Sequence, residues 1–168
     1  MKSSIAFALL SGLVLSAGCN PIKRLSDAEW DHYRALRVYM TDAEKKTFLK
    51  QKEEENRSAY LQELGLWDRF YNYPQDVREL ILEGEVALGW TKDKMLMAWG
   101  APHDMQKLSG RDARRSERFI YRFEELEDGR LVIWRKGSKT AYKAARLFQR
   151  HIEIDDDVVT KIYESGSW

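Results

Sequence analysis

The sequence predicts an α+β fold: helices first, then a short helix packed on a four-stranded, mostly antiparallel sheet. Three observations carry this. Ser26-Asp27-Ala28-Glu29 and Thr41-Asp42-Ala43-Glu44 are both capping boxes, a hydroxyl residue followed three places later by glutamate. Phe119, Tyr121 and Phe123 alternate with Ile120 and Arg122, the period of a strand. Asp128-Gly129 is a hairpin signal, because both residues tolerate the left-handed backbone of a tight turn.

The elements follow in order. The first capping box opens a helix expected to reach about Met40, with Trp30, Tyr33, Leu36, Arg37 and Met40 along one side. The second opens a helix carrying Phe48 and Leu49. Lys50 to Arg57 is polar all round and reads as a solvated helix face. Tyr60, Leu61 and Leu64 restore apolar spacing, and Gly65 ends the helix as a left-handed cap. Leu66 to Tyr73 is dense in aromatics. Pro74 suits the first turn of a helix bearing Val77, Leu80, Ile81 and Leu82 before Gly84. Residues 26–83 thus form a helical region.

Residues 84–168 form the helix-plus-sheet region. Thr91 is an N-cap, and Asp93 places negative charge in the first turn. Met95, Leu96, Ala98 and Trp99 make an apolar stripe, which Gly100-Ala101-Pro102 stops. Leu131 to Arg135 returns from the first hairpin. Leu147 to Ile154 and Val158 to Tyr163 flank Asp155-Asp156-Asp157, read as a solvated hairpin tip rather than a calcium loop. Residues 137–146 fit a loop, a strand or a short helix.

The N-terminus carries an address. Lys2 precedes an apolar run, Ile5 to Leu15, of signal-peptide length and too short to span a bilayer. Ser16-Ala17-Gly18 are small, and Cys19 is the only cysteine. Residues 1–18 read as a signal peptide and residues 19–25 as a tether of at most ~20 Å. An ordinary signal peptide cut after Gly18, leaving a free thiol, is the alternative. Leu15 to Cys19 resembles the lipobox of bacterial lipoproteins. That resemblance implies acylation of Cys19 and a membrane partner through its lipid. Asn20, which is not Asp, points to the periplasmic face of the outer membrane, with the inner membrane as the alternative.

Without Lys2, the only charge before Cys19, 27 basic residues face 27 acidic ones, so neither nucleic acid nor an anionic surface is expected as the main partner. His32, His103 and His151 stand far apart, and no metal motif or nucleophile elbow is present. No metal, no cofactor and no catalytic residue is expected. His103, Asp104 and Tyr121 are the residues that could line a cleft. Trp30, Trp67, Tyr71, Tyr73 and Trp168 are candidates for a partner surface, the other reading being core packing.

Gly89-Trp90-Thr91-Lys92-Asp93, followed by Trp99-Gly100-Ala101-Pro102, resembles the GWxTD-type domain of bacterial envelope proteins; here Lys92 stands between Thr91 and Asp93. Gly100-Ala101-Pro102 and Val159-Thr160-Lys161-Ile162 also resemble the small outer-membrane lipoproteins of the BamE/SmpA type. Gly89, Trp90, Thr91, Asp93, Trp99, Gly100 and Pro102 are therefore a motif with a structural or partner-binding role. The second resemblance implies a helix on an antiparallel sheet and a part either in assembly of outer-membrane β-barrels or in inhibition of β-lactamases. The expected function is a non-enzymatic, lipid-anchored interaction or scaffold factor of the cell envelope, with an envelope protein as partner. A periplasmic ligand-binding module or enzyme, or an inhibitor of a periplasmic hydrolase, is the alternative.

Overall fold

Both capping boxes form. Ser26 caps α1 (Asp27–Leu36) and Thr41 caps α2 (Asp42–Lys50). In each, the hydroxyl accepts the amide of the glutamate three residues on, whose carboxylate accepts the cap amide. The computed structural model describes residues 21–135 and 144–168. The leader and Cys19 lie outside the described residues, as does most of the 137–146 stretch. Its last three residues, Ala144, Ala145 and Arg146, begin a strand.

Two local expectations are corrected. First, α1 ends at Leu36 and gives way to a 3₁₀ turn, Arg37–Tyr39. Met40 must be extended so that Thr41 can cap the next helix, and its φ and ψ of −94° and 139° are so. Second, the polar run does not continue α2. The chain breaks at Gln51, and α3 (Glu54–Glu63) starts afresh. Arg57 explains the break: its Nη1 donates to the carbonyls of Gln51 and Lys52 at 2.7 and 3.1 Å. Arg57 is only 5% exposed and pairs through Nε with Glu29, itself 4% exposed. The run therefore hides a buried ion pair rather than presenting only a solvated face. Pro21–Arg24 winds into a 3₁₀ turn against α2, and the Arg24 guanidinium donates to the Leu49 carbonyl at 3.3 Å.

Gly65 and Gly84 take φ of 65° and 78°, values that glycine adopts without Cβ strain. Gly65 leads into α4 (Leu66–Tyr71), and Gly84 ends α5 (Gln75–Glu83). Pro74 sits one place before α5 as its cap residue, not within its first turn. Tyr33, Leu36, Phe48, Leu61, Phe70 and Ile81 bury the inner faces of these helices in one cluster. Tyr33 and Phe48 stack in it at 5.3 Å.

Among the described residues the sheet has five strands, not four, and every pairing is antiparallel. They are β1 (Asp104–Lys107), β2 (Ser116–Leu126), β3 (Leu131–Trp134), β4 (Ala144–Asp155) and β5 (Val158–Ser165). The order is β1-β2-β4-β5, with β3 also on β2. β1 and β3 share one side of β2, since β1 pairs residues 117–120 and β3 pairs residues 122–125. β1 is the unexpected strand. All four of its residues are exposed, so no apolar alternation marks it. Pairing with β2 alone defines it.

One helix, α6 (Lys92–Trp99), crosses the inner face of the sheet. Met95 and Trp99 meet Phe119, Tyr121, Phe123, Phe148, Ile152 and Ile154 in a second cluster. Trp90 and Ala98 pack against both clusters. The β4–β5 tip turns on Asp156 and Asp157, with φ of 44° and 66°. It is docked as well as wet: the Asp156 amide donates to the Arg115 carbonyl at 2.9 Å, and the Asp157 carbonyl accepts the Lys92 amide at 2.8 Å.

Candidate functional site

The Gly89–Asp93 segment is a joint between the helical half and the sheet. The Gly89 amide donates to the Val159 carbonyl and the Val159 amide to the Trp90 carbonyl, each at 2.8 Å. Thr91 then bridges to Val158, so the segment caps the edge of β5 like a very short strand. Gly89 takes φ of 79°, which lets the chain turn onto that edge. The Thr91 hydroxyl accepts the Lys94 amide and starts α6. Lys92 reaches Glu117 on β2 at 2.6 Å.

Asp93 completes the joint. Its carboxylate accepts from the Tyr39 hydroxyl at 2.8 Å, from Arg69 Nη1 at 2.6 Å and from the Tyr73 hydroxyl at 3.2 Å. Arg69 also lies over the Tyr39 ring, 4.3 Å from its centroid. Burial, and then the Asp93 charge, push the Tyr39 phenol well above its ordinary range, so it stays a donor. Tyr39, Arg69 and Tyr73 come from three separate helical-region segments. Asp93→Ala removes the acceptor all three share. Because Asp93 is one-third exposed, the expected loss is about 1–2 kcal/mol of stability in urea denaturation, below the sum of three charged hydrogen bonds. A loss under a few tenths would show that the network is ornamental.

Trp99, Gly100 and Pro102 sit at the other end of α6. Trp99 is 3% exposed and donates its indole N–H to the Gly84 carbonyl at 2.7 Å. It meets Tyr121 and Phe123 edge-on, each at 5.1 Å. Gly100 takes φ of 76° and ψ of −160°, a conformation closed to other residues. Its carbonyl accepts the Tyr121 hydroxyl at 2.8 Å.

His103, Asp104 and Tyr121 do not meet in a cleft. Tyr121 is 1% exposed, and its hydroxyl is spent on the end of α6. Asp104 opens β1 on the exposed edge, its carboxylate accepting the Met105 amide at 2.9 Å. His103 alone lines a shallow cleft of ≈ 280 Å³, with Pro102, Trp134, Arg135 and Arg37. Its ring lies edge-on to Trp134 at 5.3 Å.

The aromatic candidates divide. Trp30, Trp67 and Tyr73 pack against the helical core. Trp67 stacks on Tyr71 at 4.6 Å, with His32 against both, and Tyr71 is 39% exposed. Trp168 lies on Trp134 at 5.2 Å, and the Arg122 guanidinium covers both rings.

Comparison with family models, curated proteins and solved structures finds no match. The geometry therefore stands by itself.

Sequence reasoning missed a cavity of ≈ 470 Å³ between α5, α6 and the sheet. Arg34, Arg135 and Arg150 line it, together with Trp99, Phe123 and Ile133, while Glu83 and Glu85 contribute carboxylates. Arg150 lies on the helix-facing side of β4, in register with Tyr121. Its guanidinium lies over Phe123 at 5.1 Å and Phe148 at 5.4 Å. A lone inward arginine among aromatics would have been its signal in the sequence. Among the described residues, no group of histidine, cysteine and carboxylate side chains is arranged to hold a metal ion.

Proposed function

We propose that this chain is a non-enzymatic, lipid-anchored factor of the bacterial cell envelope that works by holding an envelope protein partner near the membrane. Cys19, the sole cysteine and the end of the apolar leader run, carries this reading. The fold gives it physical support. Among the described residues a 3₁₀ turn already starts at Pro21, two positions beyond Cys19, so little chain lies between the anchor and the domain. The polar groups of the Gly89–Pro102 motif are engaged in holding two halves together, which favours a scaffold over a reaction centre. β1 offers an exposed edge, with Met105 at 59% exposure, for contact with another chain. Outer-membrane protein assembly, on the periplasmic face of that membrane, is the process this reading favours.

Cells fed radioactive palmitate should yield labelled protein. Cys19→Ser should abolish the label and release the chain from membranes. Crosslinking in intact cells and purification of the anchored protein should then recover an envelope protein. An unlabelled product, or recovery of no envelope protein, overturns the proposal.

The arginine-lined cavity favours one second reading, a periplasmic module that binds an organic anion. Saturable binding of an aromatic carboxylate in calorimetry, lost in Arg150→Leu, would move the assignment there.

A further inference from the structure

The chain as a whole is balanced in charge, but the balance is not even across it. α2 is sorted along its length: Asp42 and Glu44 stand in its first turn, and Lys46 and Lys50 toward its end. Both acids are occupied locally, Asp42 with Lys45 at 3.1 Å and Glu44 with the Thr41 amide and hydroxyl. Lys46 and Lys50 are one turn apart and share a face. The 3₁₀ turn Pro21–Arg24 packs beside that face and adds Lys23 and Arg24. Pro21, Arg24, Lys46, Leu49 and Lys50 line one shallow depression. Among the described residues, Lys23, Arg24, Lys46 and Lys50 form no ion pair with a carboxylate, and all four are exposed. Apart from Asp42 and Glu44, the nearest acids along the chain are Asp27, in the first turn of α1, and Glu53, Glu54 and Glu55, at the start of α3 beyond the break.

We infer that this basic end of α2, with Lys23 and Arg24, lies on the anionic phospholipid headgroups of the membrane that holds Cys19. The inference rests on the anchor reading above and adds an orientation to it. Pro21 stands two positions after Cys19, a reach of at most about 7 Å. Cations packed beside Pro21 are therefore held within a Debye length of the headgroups, about 8–10 Å at ordinary ionic strength. Each basic residue so placed contributes about 1 kcal/mol on an anionic surface. Four of them give a rigid domain one preferred face toward the lipid, where the acyl chains alone fix only its distance. The formally neutral composition hides this, because its compensating acids lie elsewhere on the fold.

The test uses the native lipidated protein bound to vesicles of phosphatidylcholine alone, or of phosphatidylcholine with phosphatidylglycerol. A membrane-impermeant amine-acylating reagent is applied, and each lysine is read by mass spectrometry. Lys23, Lys46 and Lys50 should react about fivefold more slowly on the anionic vesicles at low salt, the ratio expected for roughly 1 kcal/mol per residue, and high salt should erase the difference. Lys107 and Lys161, exposed on the sheet, should react equally on both. The triple variant Arg24→Glu, Lys46→Glu, Lys50→Glu should still float with phosphatidylcholine vesicles while losing protection at Lys23. Equal reactivity of Lys23, Lys46 and Lys50 on the two vesicle types overturns the orientation, whatever the flotation. Failure to float with phosphatidylcholine overturns the anchor instead, so the two claims fail separately.

Discussion

Arg57→Ala should lower the stability of the fold by about 3–5 kcal/mol, read as a shift of the midpoint in chemical denaturation with its slope unchanged. That is a large share of the ~5–15 kcal/mol that a domain of this kind has. The substitution leaves the Glu29 carboxylate buried without its countercharge and frees the Gln51 and Lys52 carbonyls that Arg57 gathers. Removing both charges at once, with Glu29→Met and Arg57→Met, should cost much less, because no ion is then left stranded.

The same pair sets an acid dependence. Burial pushes the Glu29 carboxyl upward, but the Arg57 hydrogen bond, the Ser26 amide and the Arg57 charge outweigh it, so its pKa lies below the ordinary range. A carboxyl lowered by folding adds stability above its unfolded pKa, ~4.3, and loses it as pH falls through the lower folded value. The gap between the native chain and Arg57→Ala should therefore be full at neutral pH and should narrow below about pH 4. A cost under about 1 kcal/mol at neutral pH, or a gap that widens in acid, would contradict this account.

Trp99→Ala should cost a similar ~3–5 kcal/mol by opening a cavity among Tyr121, Phe123 and Met95. Trp99→Phe separates the two parts of that cost. It keeps an aromatic ring against Tyr121 and Phe123 but loses the hydrogen bond to the part-buried Gly84 carbonyl at the end of α5, worth about 1 kcal/mol. Denaturation of both variants measures this directly. A Phe variant as unstable as the Ala variant would mean that the indole N–H, rather than the ring, holds α6 in place.

Local chemistry is what the sequence made legible. The capping boxes at Ser26 and Thr41, the glycine turns at Gly65 and Gly84 and the Asp128-Gly129 hairpin are each written within a few residues, and each forms. The missed features depend on partners distant in sequence. Arg57 looks solvated in its polar run until Glu29, 28 residues earlier, is brought beside it. β1 has no strand pattern of its own, because both of its faces are wet. Arg150 reads as one charge in an alternating strand, and only α6 shows that its side faces a cavity. At the candidate site, Thr91 and Asp93 were legible as the start of a helix. That Asp93 gathers Tyr39, Arg69 and Tyr73 was not, since those residues lie 20 to 54 positions away.

Trp90 and Ala98 touch both apolar clusters, which has a consequence for how the molecule comes apart. Neither half can melt without stripping cover from the other. Heating should trace a single sigmoid by every optical probe, and a chain severed near Gly84 should leave two fragments that are each too poorly covered to persist.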